Sequence, residues 1–159
     1  MRSGMVVAAC LALSGAAAAQ SQPTLLDSYG RVNALLTYMN TFVGEALLAC
    51  AEKSALTEEQ AEARYQVYRK RNAALLERAE SWSQQAETRL QAQGETRAAR
   101  RVEEANLNAA GEASIRAQGA IGRAKDARAA CAAVIAAIES GRYDLSGNTE
   151  FVDLLKANP

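Results

Sequence analysis

Apolar residues recur at alternating steps of four and three through Leu25, Tyr29, Val32, Leu36, Met39, Val43, Ala46 and Cys50. That spacing is a heptad seam on one helix. Leu26, Leu35, Tyr38, Phe42 and Leu47 widen it, so the helix is able to bury more than one side. It is predicted over about residues 25–54, with Gly44 inside it at a cost of about 1 kcal/mol relative to Ala. A second seam follows through Ala61, Tyr65, Tyr68, Asn72, Leu75, Ala79, Trp82, Ala86 and Leu90 and predicts a helix over about 57–93. Thr57-Glu58-Glu59-Gln60 opens that helix as a capping box. Glu58 and Glu59 stand where the helix dipole favours negative charge. Asn72 is polar on an apolar seam. It either fixes register from the inside or turns outward.

Gly94 ends the second helix, and a third is predicted over about 95–140, closed by Gly141. Its seam passes through Ala99, Glu103, Asn106, Ala110, Ala113, Ala117, Ala120, Ala124, Ala127, Cys131, Val134 and Ile138. The first half is small and polar, and Gly111, Gly119 and Gly122 mark its middle for a kink or break. After an irregular stretch at 143–147, Asn148 or Thr149 caps a last short helix over 149–156. Its apolar face is expected to fold back on the bundle. If it does not, Phe151, Leu154 and Leu155 form a candidate docking face for a partner.

The pattern predicts an all-α chain. Three long antiparallel helices make an up-down-up bundle or coiled-coil-like rod, with the short C-terminal helix added. Composition agrees: aromatics are 5% and Pro is only 2 of 159 residues, which suits long helices and not a sheet. The length allows one domain, residues 20–159. Much of the apolar content is Ala, which buries little area, so the core is expected to be thin.

Residues 1–19 read as a cleavable signal peptide: Arg2, an apolar run from Met5 to Leu13, and Ala17-Ala18-Ala19 before Gln20. Two rival readings are an uncleaved anchor, for which the run is short, and a lipoprotein, for which Cys10 comes early. Cleavage removes Arg2 and no acid, leaving 17 basic and 18 acidic groups. It also removes Cys10 and leaves Cys50 and Cys131. A cysteine pair in an exported chain suggests a disulfide. Counting equal rises around the antiparallel path brings the level of Cys50 to about residue 128, within one turn of Cys131. The expected localisation is the bacterial periplasm or exterior, with no stable membrane insertion after cleavage.

Histidine is absent, which removes the commonest general base and transition-metal ligand. There is no Gly-x-Ser-x-Gly elbow, Gly-rich phosphate loop or Cys-x-x-Cys. Asp144, Ser146, Asn148 and Glu150 alternate like a calcium loop, but Gly147 is displaced and Leu155 stands where the closing Glu belongs. Basic runs at Arg69-Lys70-Arg71 and around Arg97, Arg100 and Arg101 are interleaved with acids, and the formal charge is zero. Neither nucleic acid nor an anionic membrane is expected as a partner. No cofactor, metal or catalytic residue is expected.

Leu56-Thr57-Glu58-Glu59-Gln60 resembles the Leu-Thr-x-x-Gln motif of small periplasmic helical chaperones and envelope-stress modulators. That family usually carries the motif twice; here it occurs once, and a capping box accounts for the same residues. The functional expectation is a non-enzymatic scaffold or binding protein, with a protein partner or self-association. An accessory subunit of an envelope assembly such as a secretion or pilus system fits this. The alternative is a periplasmic chaperone or stress modulator that holds unfolded clients.

Overall fold

A computed structural model describes residues 23–157. The expected leader, with Cys10, lies outside the described residues. Among the described residues the chain is helical throughout: α1 Leu25–Glu52, α2 Glu58–Arg71, α3 Ala73–Ala92, α4 Ala98–Gly122, α5 Ala127–Glu139 and α6 Thr149–Lys156, with one 3-10 turn at Leu145–Gly147. The all-α expectation is met, but the second and third predicted helices are each divided in two.

Both divisions have local causes. Asn72 ends α2 and precedes α3. Its backbone N–H and its side-chain amide both donate to the Tyr68 carbonyl, at 3.1 and 2.9 Å, while its side-chain oxygen accepts from Leu145 N–H at 2.8 Å. A side chain that bonds its own backbone offers the chain an alternative to the helical ladder. The second division follows Gly122, the last of the three glycines flagged in sequence. Gly111 and Gly119 stay helical. Asp126 then restarts the helix, its carboxylate accepting from Ala129 N–H at 2.9 Å.

Helix ends follow from sequence. Thr24 and Asp27 form a capping box on α1, as do Thr57 and Gln60 on α2. Gly94 and Gly141 take positive φ of 78° and 79°, and the bonds Glu95 N–H to Leu90 O and Arg142 N–H to Ala137 O close the two ends at 2.9 Å each. Ser54 plays the same part after α1 at φ 55°, with Ala55 N–H donating to Cys50 O at 3.0 Å.

Helix α1 touches each of the other five helices, and α4 is its principal neighbour. Buried side chains fall into separate clusters along it. One end of α1 contributes Tyr29 and Val32 to a group with Trp82, Leu90, Val102, Leu145, Phe151 and Leu155. Its other end contributes Ala46, Ala49 and Cys50 to a group with Ala117, Ile121 and Cys131. Val43 and Leu47 pack with Ala61, Tyr68 and Ile138. Between the ends, residues 33–42 of α1 include no fully buried side chain. Many buried positions are Ala, the thin core expected from composition.

Candidate interaction surface

Cys50 and Cys131 are joined by a disulfide, with Cα atoms 5.5 Å apart and a sequence separation of 81. Both are fully buried among Ala46, Ala49, Ala117 and Ile121. Reactive cysteines sit in exposed, electropositive surroundings; these sit in a dry apolar layer. The link ties α5 to the end of α1.

The C-terminal helix is folded back. Phe151 is 0% and Leu155 4% exposed, and the Trp82 indole N–H donates to Ala157 O at 2.9 Å. Arg78 donates to Leu155 O at 3.0 Å, and Arg31 pairs with Glu150. The candidate docking face Phe151, Leu154 and Leu155 is therefore corrected. Two of its three side chains belong to the protein's own core, packed in one cluster with Tyr29, Val32, Trp82 and Leu145. Leu154 alone remains half-buried.

Asn72 faces inward, 3% exposed, and sits in a polar knot. Arg71 is held against Asp144 at 2.7 Å and donates to the Ile138 carbonyl at 2.6 Å, so its cation lies at the C-terminal end of α5, where the dipole favours it. Asn72 also donates to Asp144 at 3.3 Å. Beside the knot, Tyr68 is fully buried and its hydroxyl has no hydrogen-bond partner. Burial, with smaller contributions from Tyr65 and Asp144, raises its pKa well above that of an ordinary tyrosine. Three of the four residues with calcium-loop spacing are taken up by other tasks: Asp144 binds Arg71, Asn148 caps α6 through Phe151 N–H, and Glu150 pairs with Arg31.

One open region lies along α1. Only 28% of its most apolar stretch is buried, although by length and composition it would cross a membrane. Two adjoining hollows, of ≈ 340 and ≈ 410 Å³, run between α1 and the α2–α3 arm and share Asn40. Their floor includes Leu36, Gly44, Leu47, Ala61, Tyr65 and Leu76. At Gly44 the nearest atom to an added Cβ is the edge of the Tyr65 ring, 3.7 Å away. Asn40 Oδ1 is buried without a partner at the junction. Of the charged residues that line the hollows, Glu45, Glu58, Glu62, Glu80 and Glu87 are acidic and only Arg69 is basic. At the edge of the first hollow, Glu45 accepts from Ser114 and Gln118 of α4 at 3.3 and 3.1 Å. Glu87 also raises the pKa of Tyr29, second to the effect of burial.

Sequence reasoning missed this valley. It treated α1 as a helix to be covered on most sides. The available signal was Thr41 and Gly44, small residues three apart that both line the first hollow. Small side chains keep a helix surface low between its neighbours.

No family model, characterised protein or solved structure matches this chain.

Proposed function

We propose that this protein is a non-enzymatic helical scaffold or binding protein of an oxidising extracytoplasmic compartment, periplasmic or secreted. Its place is that of an accessory subunit in an envelope assembly such as a secretion or pilus system. The observation that carries this reading is the half-open state of α1: the longest helix of the chain, long and apolar enough to cross a membrane, keeps most of that stretch short of full burial. An apolar surface left open at that scale favours a protein contact. The buried Cys50–Cys131 link supports the compartment, since such links persist where thiols are oxidised. The architecture is read as a bundle with broken arms. The α2–α3 arm runs antiparallel to α1, as the Gly44–Tyr65 and Asn33–Ser83 contacts support. The α4–α5 arm runs parallel to it, as the Glu45–Ser114 bond and the disulfide support.

Capture from envelope extract, using the oxidised protein and a Leu48→Glu variant, tests the reading. Leu48 lines the first hollow and is 51% exposed, so the charge is tolerated by the fold. A discrete protein retained by the wild type and lost by the variant is the expected result. Equal retention by both, or none, sinks it.

A second reading, a chaperone for unfolded clients, draws on the exposed large side chains Leu48, Val67, Leu107 and Ile115. Suppression of aggregation of a denatured client at substoichiometric protein supports it, and no suppression at molar excess rejects it. The Leu-Thr-x-x-Gln resemblance adds nothing to it. Thr57 Oγ1 accepts from Gln60 N–H at 3.1 Å, and Gln60 Oε1 accepts from Thr57 N–H at 3.0 Å. Those two residues are thus fully engaged in starting α2.

A further inference from the structure

We infer that the valley along α1 receives a basic amphipathic helix from a protein partner, its apolar stripe on the floor and its Lys or Arg flanks against the glutamates. This rests on the binding-protein reading and names the chemistry of the partner.

The shape suits a helix. The two hollows extend along α1 from Tyr29 to Leu48, which at 1.5 Å per residue is roughly 28 Å, or about five helical turns. The floor is low and apolar in the first hollow, at Gly44, Leu47, Ala61 and Tyr65, and the second adds Leu36 and Leu76 beside Asn33 and Ser83. Helix-in-groove recognition needs such a trough and reads its ligand through apolar anchors at helical spacing.

Charge selects the kind of helix. Five glutamates and one arginine line the two hollows, in a chain whose formal charge is zero. The imbalance is therefore local. None of those five takes part in an ion pair, while Glu104, Glu112, Glu139, Asp144, Glu150 and Asp153 all do among the described residues. Where Glu45 and Glu62 find donors, these are neutral: Ser114 and Gln118 for one, Gln66 for the other. Their negative charge is left uncompensated. Carboxylates flanking an apolar trough steer and orient a cationic partner and reject an anionic one.

The probe is an acetylated, amidated, fluorescein-labelled peptide of about five turns, with Leu at every third or fourth position, Lys on the flanks and Ala elsewhere. Its counterpart carries Glu in place of Lys. Anisotropy is read against the oxidised protein and two variants, the triple change Glu45→Gln, Glu58→Gln and Glu62→Gln, and the single change Gly44→Phe, which fills the floor and keeps the charge. Circular dichroism confirms that each variant is folded. Each exposed ion pair contributes a factor of roughly 1.5 to 5, so the triple variant is expected to bind the Lys peptide about tenfold more weakly. Raising salt from about 50 to about 500 mM should weaken wild-type binding further, Gly44→Phe should weaken it at constant charge, and the Glu peptide should not bind.

Absence of Lys-peptide binding, or equal binding by wild type and triple variant, overturns the inference. So does a dimer of the protein in light scattering that the triple variant abolishes, because the valley would then hold a second copy. A partner captured from extract equally by wild type and triple variant but lost with Leu48→Glu would leave the binding-protein reading standing and this inference refuted. Peptide binding that follows the expected pattern with no partner captured would do the reverse.

Discussion

Replacing Cys50 and Cys131 together by Ala removes the one covalent tie among the helices while leaving no polar atom in the layer formed by Ala46, Ala49, Ala117 and Ile121. The crosslink closes a loop of 81 residues, for which the chain-entropy relation gives about 4.5 kcal/mol at 25 °C. A domain of this kind is stable by roughly 5–15 kcal/mol in total, so the tie is a third or more of what holds it folded. At roughly 3–5 °C per kcal/mol for this size, the variant should melt roughly 10–20 °C below the oxidised wild type. Thermal and urea unfolding, followed by helical circular dichroism, measures this on oxidised wild type, reduced wild type and variant. Comparing reduced wild type with the variant separates loss of the tie from loss of sulfur packing. The slope with urea should also rise once the tie is gone, because an untethered unfolded chain exposes more surface. In hydrogen exchange, α5 should lose protection first, since the tie is its main anchor to α1. A variant melting within about 2 °C of oxidised wild type, or two titratable thiols in the oxidised protein, would refute the reasoning.

Further outcomes follow from the same structure. Asn72→Ala strips the acceptor from the buried Leu145 N–H, and an unsatisfied buried donor costs about 1–3 kcal/mol; urea unfolding should show that loss, and a change below about 0.5 kcal/mol would mean water replaces the amide. Thr57→Ala removes the capping box of α2 at about 1 kcal/mol, read as a lower urea midpoint with an unchanged slope. Tyr68, whose pKa burial raises, makes stability fall as pH climbs above about 10. There the unfolded tyrosine releases its proton and the native one keeps it, so the unfolded state binds fewer protons and is favoured. Absorbance of tyrosinate should show one of the five tyrosines ionising only as the helices melt, and all five titrating before unfolding would contradict the burial.

Much of the fold was legible because seams, caps and stops are local signals. The seam through Leu25 and Cys50 marked α1, Thr57 to Gln60 marked the start of α2, and Gly94 and Gly141 marked two helix ends through their need for positive φ. The pairing of Cys50 with Cys131 was suggested by their being the two cysteines left after the leader, and counting rises along the arms supported it. The break at Asn72 was only half legible: its bonds to the Tyr68 carbonyl are local, but Leu145, which engages its side-chain oxygen, lies 73 residues away. A seam with steps of three and four runs straight through it. The Thr24 cap was present as Thr-x-x-Asp and was passed over beside Pro23. The valley depends on how α2 and α3 stand against α1, which is set by tertiary packing. Its glutamates belong to α1, α2 and α3, so no single stretch of sequence displays them together.

The claim at the centre is that the open length of α1 meets another protein. Site-specific photo-crosslinking in intact cells tests it most directly, with the reactive residue placed at Thr41 in the valley and, separately, at Lys125 on the exposed link between α4 and α5. The expected result is a discrete adduct with a second polypeptide from position 41 and none from position 125. No adduct at position 41, or the same smear from both positions, would contradict it.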